Sequence, residues 1–496
     1  MLAFLKAHNR YSYPLVLLAV SLLVYLPQYT SPQALFWDEN YHVTSAQKHL
    51  DGVMYMETHP PLGKLLMAAS EKALGVNADL DKSALTRTSY ISGDDLPDGF
   101  SFAGMRLPST LLMALSVLFM YGILRRLTGL RLVAAAFSCL LIFDNALVVH
   151  SRAAMLEGIQ IFFILAAIYY LVRTLTNDIA IRLRQYAILG VLVGLAVSVK
   201  ANAAVLLLLF PVLFLAEQWS SIASMRIGPV ARRLLTTVPS AVVPLGLVFL
   251  SVFYLHIATG TEIAGQQRYK ASPEYLQHIR EGTTHTPSGF AVGMRDQWRY
   301  MAEYSAGVPR LDMCKPGENG SPPYAWPWGS KSISYRWDRE VADGQVTVAH
   351  IYLVANPLVW FSALAGIVLS VGLLISRYVY RQPVAHQRLF GWIGLFTGLY
   401  LSYMAVMLQV ERVMYLYHYL VPLVFALINL ALVFTYVFHT PLRRNNPMVF
   451  SLLGIFVVLV MSVFAYFSPL TYGVPITPGQ FEQRQWFDFW MMQVVR

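Results

Sequence analysis

The sequence predicts an all-α polytopic membrane protein, and three observations carry that prediction. Of its 496 residues, 56% are hydrophobic and only 13% charged, against about 25% charged in soluble domains. Apolar stretches of the length needed to cross the hydrocarbon core recur along the chain. Basic residues collect in alternate connections between those stretches, as the positive-inside rule requires. A soluble enzyme, a disordered chain and a fibre are excluded by the same composition.

The stretches lie near 13–27, 105–124, 131–149, 153–172, 186–199, 201–217, 234–257, 350–376, 389–409, 415–437 and 447–467, eleven in all. One set of connections holds Lys6 and Arg10, then Arg125, Arg126 and Arg131, then Arg173, Arg182 and Arg184. It continues with Arg226, Arg232 and Arg233, then Arg377, Arg381 and Arg388, then Arg443 and Arg444, with Asp178 as its one acid. The other set mixes both signs, as in Asp38, Glu39, Asp51, Glu57, Asp94, Asp95 and Asp98. The N-terminus is therefore expected in the cytoplasm, and eleven crossings would put the C-terminus outside.

The first stretch is expected to be an uncleaved anchor, because Phe36, Trp37 and Asp38 stand where a signal peptide would carry a small-x-small site. The net charge of +10 follows from the inward loops, and no basic tract interleaved with aromatics points to nucleic acid. Cys139 and Cys314 are the two cysteines, too few for a disulfide framework or a zinc site. The organisation expected is spans one to seven within 1–257, including a first outward segment over 28–104. A folded outward cap over 258–349, spans eight to eleven within 350–467 and an outward tail over 468–496 complete it. In that tail Phe481, Trp486, Phe487, Phe489, Trp490 and Met491 recur at near-helical spacing, which predicts an amphipathic helix on the membrane face.

The chemistry-bearing residues cluster on the outward side. Asp38 and Glu39 adjoin just past the first span, between Trp37 and Tyr41. Paired carboxylates at membrane depth are costly to desolvate, and burial there fits a carboxylate for general-base work. Then comes Thr58-His59-Pro60-Pro61-Leu62-Gly63-Lys64. Proline suits a first helical turn, so an interfacial helix is expected from Pro60 to about residue 75, with Lys64 one turn in. Arg106, Arg152, Lys200 and Arg412 all fall at outward ends of expected spans. Each either binds a phosphate there or simply snorkels to the interface.

These motifs, in this order and topology, resemble the protein O-mannosyltransferase family, glycosyltransferases of the GT-C fold that use polyprenyl-phosphate-linked sugar. The resemblance rests on Asp38-Glu39, on His59 to Lys64, on Arg106 within Met105-Arg106-Leu107-Pro108-Ser109, and on Ser151-Arg152 before Leu156-Glu157. It extends to Lys200 after Val197-Ser198-Val199, to Trp326-Pro327-Trp328, and to Arg412 through Tyr419. Glu157 stands where the family favours Asp, and Met414 where it favours Phe. The 258–349 segment is too short for a β-trefoil MIR domain, which implies a prokaryotic type of member.

The resemblance implies an enzyme of the cytoplasmic (inner) membrane with its active site on the extracytoplasmic side. It would move mannose, with inversion, from a polyprenyl-phosphate donor to Ser or Thr hydroxyls of exported proteins. By this likeness Asp38 is the base, while Glu39 positions the acceptor or raises the pKa of Asp38. Arg106, Arg152, Lys200 and Arg412 would stabilise the departing phosphate. His59, Lys64, Trp326 and His418 are candidates for substrate binding, although the histidines equally suit packing and Trp326 and Trp328 equally suit interfacial anchoring. No cofactor is implied; the alternative is a divalent cation near Asp38, Glu39 and His42. A lipid, glycan or polymer acceptor is the nearest rival, and a transporter, which would show repeated halves, the more distant one.

Overall fold

An apolar helix, or a bent pair of helices, lies over each of the stretches expected to cross the membrane. The computed structural model describes residues 9–177, 180–342 and 344–495; Lys6, Asp178 and the Arg10 side chain lie outside the description. Among the described residues, eight helices are long and apolar enough to span, or nine if the bent pair Arg131–Ile142 and Asn145–Ser151 is one crossing. Tyr11–Tyr25 and Leu183–Val199 are apolar but shorter.

The chain forms two compact units, one of residues 1–28, 113–150 and 310–496, the other of residues 29–112 and 151–309. In the first, helix Leu420–Val437 is the hub, with Asn429 Nδ2 donating to Ser370 Oγ at 2.8 Å and Thr397 Oγ1 at 3.0 Å. Those bonds tie Pro357–Tyr378 and Gln387–Met407 to it, the polar linkage that apolar surroundings make useful. A 57° bend separates Arg131–Ile142 from Asn145–Ser151, and a polar clamp holds it. Asp144 accepts from Trp360 Nε1 at 2.8 Å, Leu147 N at 2.9 Å and Asn356 N at 3.3 Å. Asn356 Nδ2 donates in turn to Phe143 O at 2.9 Å and Val460 O at 3.1 Å. The backbone groups freed by the break are thus partly met by side chains.

The expectation of an all-α chain is overturned in this unit by a small antiparallel sheet: β1 Ile333–Ala342, β2 Gln345–Leu353 and β3 Pro475–Ile476, in that order. Ile333, Tyr335 and Trp337 alternate with Ser334, Arg336 and Asp338, as do Val346 and Val348 with Gln345 and Thr347, the period of a strand rather than a helix. The stretch read as a span from 350 therefore begins later, at Pro357, after Asn356 Oδ1 accepts from Leu358 N at 3.2 Å. The tail is not the amphipathic helix its spacing predicted. Helix Pro478–Glu482 is short, and beyond it Lys331 N and Ser332 N donate to Phe489 O and Trp490 O, each at 2.9 Å. Phe481 and Trp490 bury with Tyr352, Val354, Phe467 and Leu470, so a local core takes these two, while Trp486, Phe489 and Met491 stay exposed.

In the second unit, helices Glu39–Leu50 and Leu62–Leu74 share a core of Val43, Ala46, Met67, Phe102, Leu156 and Val199. The second helix starts just past Pro60-Pro61, as the sequence indicates, and ends on Gly75 in the left-handed region. Gly104 is required by close approach: a Cβ there would lie 2.5 Å from Glu71 Cα. The expected cap over 258–349 divides between the units at Pro309. Its helices Pro273–Arg280 and Pro287–Gly307 belong to the second, with Tyr275, Ile279 and Val292 packed on Met54 and Met56.

Replacing Asp144 with Leu strands three donors, each costing about 1–3 kcal/mol when buried without a partner. Asp144→Leu is expected to lower the thermal unfolding midpoint in detergent by much more than Asp144→Asn, which keeps one acceptor oxygen.

Candidate active site

Asp38 is the residue before helix Glu39–Leu50, on the strand of chain that leaves the first apolar helix. Trp37, immediately before it, has φ +54°, a left-handed conformation that costs a bulky residue on the order of 1–3 kcal/mol. Such strain collects where function fixes the backbone. The Asp38 carboxylate does not cap the helix it begins, and the residue is half-buried.

Glu39 is fully buried and committed. It receives Arg106 Nε at 2.7 Å and Nη2 at 2.8 Å, Ala154 N at 2.8 Å and Phe36 N at 3.1 Å. Arg106 has no exposed surface. Its Nη1 donates to Thr30 O at 3.0 Å and Pro32 O at 2.8 Å, and its Nη2 also donates to Ala34 O at 2.8 Å. The guanidinium lies 4.2 Å from the Phe102 ring centre and 4.9 Å from that of Phe36. All five of its N–H groups are therefore occupied. This geometry corrects the expectation that Arg106 grips a phosphate: with Glu39 it fixes the first outward segment in place.

Two lysines of the expected set are also paired. Lys64 Nζ lies 2.5 Å from Glu57 Oε1, and Lys200 Nζ lies 2.5 Å from Glu157 Oε1, with all four side chains nearly buried. Glu57 Oε1 further accepts from Thr58 N at 2.9 Å and His59 N at 3.3 Å, closing the turn that leads into Pro60-Pro61. Its Oε2 is buried with no hydrogen-bond partner among the described residues. Burial raises the Glu57 carboxyl, but Lys64 more than offsets that and holds it below the usual range, at about 2. Glu57 entered the sequence reading only as one charge of a mixed loop. Its signal was its place seven residues ahead of Lys64, with a Pro-Pro turn between to fold the two together.

His42 shares a helix face with Asp38 and donates from Nδ1 to Ala154 O at 2.7 Å, since a carbonyl can only accept. Its Nε2 is then left as an acceptor. Burial first, and Lys64 second, lower its pKa to about 3. His59 is held well below its ordinary value by burial and by Lys200 and Lys64, so both imidazoles stay neutral. Arg152 is buried as well. Glu39 is engaged by Arg106, and His42 Nδ1 by a carbonyl. Among the described residues no three His, Cys, Asp or Glu side chains form a metal-holding group.

The remaining candidates lie in the first unit. Arg412 is half-buried, bridged by its backbone to Arg310, and lines a cleft of about 210 Å³ with Leu311, Tyr324, Leu408, Val410 and Met414. Trp326 is fully buried, its Nε1 donating to Ser321 Oγ at 3.0 Å. Its ring stacks on His418 at 5.9 Å, His418 on Tyr417 at 4.6 Å, and Tyr417 on His150 at 5.0 Å. That continuous stack corrects the sugar-binding expectation for Trp326, which presents no open face, and gives His418 a packing role. Trp328, two residues on, is 54% exposed.

Breaking the buried pair of Arg106 and Glu39 is expected to cost about 3–5 kcal/mol. Arg106→Met and Glu39→Gln should each lower the unfolding midpoint sharply, whereas Asp38→Asn should not; thermal denaturation of the purified variants in detergent checks this.

Residues 15–260 match the sequence model of dolichyl-phosphate-mannose-protein mannosyltransferase, and residues 301–490 that of the C-terminal four TMM region of protein-O-mannosyltransferase. A polyprenol-phosphate-mannose–protein mannosyltransferase of Mycobacterium tuberculosis is 25% identical, covering 87% of this chain and 80% of its own. One from Mycolicibacterium smegmatis is 23% identical, covering 96% and 91%. The solved structure of the Saccharomyces cerevisiae protein O-mannosyltransferase Pmt1–Pmt2 complex bound to the sugar donor shares the fold, with a TM-score of 0.82 at 16% identity over 97% of this chain and 92% of that one. The chain belongs to the protein O-mannosyltransferase family.

Proposed function

We propose that the protein transfers mannose from a polyprenyl-phosphate donor to Ser or Thr hydroxyls of polypeptides, on the extracytoplasmic side of the cytoplasmic (inner) membrane. The observation that carries this reading is Asp38: a half-buried carboxylate at a strained turn, with Glu39 beside it locked by Arg106. One member of the acidic pair is fixed so that the other stands in a defined place for chemistry.

In the reaction, Asp38 takes the proton of the acceptor hydroxyl as its oxygen attacks the anomeric carbon from the face opposite the phosphate. The bond from that carbon to the phosphate oxygen breaks, and the polyprenyl phosphate leaves with one more negative charge. A β-linked donor thus gives an α-glycoside. The leaving group calls for cations on a dry, preformed frame. Lys64, Lys200 and Arg152 are the buried cations of the second unit that fit, and Arg412 lines a cleft of the first. The two lysines are each balanced by a glutamate, which makes their burial tolerable. His59 and His42, held neutral, can hydrogen-bond sugar or phosphate without adding charge. The topology that supports the sidedness is the distribution of basic residues along the loops.

Purified protein in detergent, supplied with defined polyprenyl-phosphate mannose and a peptide bearing one Thr, is expected to yield an α-mannosyl peptide. Asp38→Asn should reduce kcat by about a thousandfold, with the unfolding midpoint retained, and a chelator should leave the rate unchanged. Product on lipid or glycan but none on peptide would instead establish the rival acceptor.

A further inference from the structure

Lys64 and Lys200 each meet a carboxylate at 2.5 Å. Lys48 and Lys270, in the same unit, do not. Lys48 is 1% exposed, and its Nζ donates to Thr88 O and lies 5.6 Å from the centre of the Tyr55 ring. Lys270 is half-buried; its Nζ donates to Ser89 Oγ at 2.8 Å and lies 5.0 Å from the Tyr300 ring and 5.7 Å from that of Tyr269. Among the described residues neither lysine has an acid within ion-pair distance. The acid that acts on both, Glu57, is already bound to Lys64. Burying a cation without a counter-charge is expensive, and here two cations bond to adjacent residues, Thr88 and Ser89. Burial, with Lys270 adding to it, lowers the Lys48 ammonium to about 7, and burial lowers Lys270 as well. An anion held beside them would relieve both.

The surroundings of the two lysines are ordered. Gln267 is 2% exposed and donates from Nε2 to the same Ser89 Oγ at 3.0 Å. The segment 88–91 is pinned to helix Glu39–Leu50 by Asn40 Nδ2 to Ile91 O at 2.6 Å and Thr44 Oγ1 to Ser89 O at 3.3 Å. Tyr41 lies seven residues before Lys48, hence on the same helix face, and packs edge-on against Tyr90 at 5.0 Å. Both tyrosines are about half exposed. Tyr41 thus lies on the Lys48 face of the helix, between its Asp38 end and the two lysines.

Distance decides which anion belongs there. Ten residues of helix separate Asp38 from Lys48, about 15 Å at 1.5 Å per residue. The donor phosphate is bonded to the reacting carbon and cannot lie so far from the base. The acceptor polypeptide can: an extended chain covers about 15 Å in four to five residues. We propose that Lys48 and Lys270 form an acceptor subsite for an aspartate or glutamate side chain placed four to five residues from the Ser or Thr that is mannosylated. The inference rests on the transferase reading and names one feature of its acceptor.

The test is a set of fluorescent peptides with one Thr and one Asp moved from six residues before it to six after, each paired with its Asn counterpart. Affinity for the full-length protein in detergent is measured by anisotropy, and transfer is measured separately. The expected result is a single maximum four or five residues to one side of Thr, with the Asp peptide bound about tenfold tighter than the Asn peptide. In Lys270→Gln the ratio should fall toward one; Lys48→Met should act likewise if it folds, and the half-buried Lys270 keeps the test decisive if it does not. Equal affinities for Asp and Asn peptides at every position, or a preference that survives Lys270→Gln, would overturn the subsite. Transfer without any preference would sink only this inference, whereas an Asp preference in binding with no transfer to any peptide would sink the transferase reading instead.

Discussion

The ion pair of Arg106 with Glu39 is the constraint on which the second unit depends. A guanidinium stripped of water must find a partner for each of its five donors. It finds them in one carboxylate and in the carbonyls of Thr30, Pro32 and Ala34, so the chain leaving the first apolar helix is wrapped around a single charged group. Glu39 passes the same constraint on to the Phe36 and Ala154 amides. The carbonyl of Ala154 then orients His42. Segments more than a hundred residues apart in the sequence are thereby set with hydrogen-bond precision around the start of one helix.

Buried charge elsewhere in that unit follows the same economy of pairing. Lys64 with Glu57 and Lys200 with Glu157 form two compensated couples, and the neighbouring imidazoles are kept neutral. Compensation explains how so many ionisable groups share one apolar surrounding. It also makes the two uncompensated lysines conspicuous, because the same chain shows what it does with a lysine it merely needs to bury.

Much of this was legible in the sequence, and the failures have physical causes. Helix positions followed from apolar run length, and the start of Leu62–Leu74 was marked, two residues early, by a proline pair suited to the opening of a helix. Period alone could not separate a strand from a span at 350–353, because His350-Ile351-Tyr352-Leu353 is apolar enough for either; the pairing of β2 with β1 decides it. The tail failed for a related reason, since helical spacing of aromatics does not say whether membrane or a local core receives them. Among site residues, the sequence marked Arg106 as a cation near the outward rim, but the number of donors already engaged is a property of three dimensions. Trp326 was likewise marked as an aromatic near the site, whereas its stacking on His418 depends on a residue some ninety positions away. Glu57 and Glu157 were visible as acids, but not as partners.

The left-handed turn at Trp37 has a consequence of its own. Glycine would adopt that backbone freely, so the tryptophan holds an unfavourable shape that its surroundings must impose. The neighbouring Glu39 anchor supplies that imposition from one side. What the chain gains is stiffness: a turn that is uphill by itself has few alternative shapes once its ends are clamped, whereas a glycine hinge would let the next residue wander. The aspartate that follows inherits a narrow range of positions, at the expense of local stability and to the benefit of repeatable alignment.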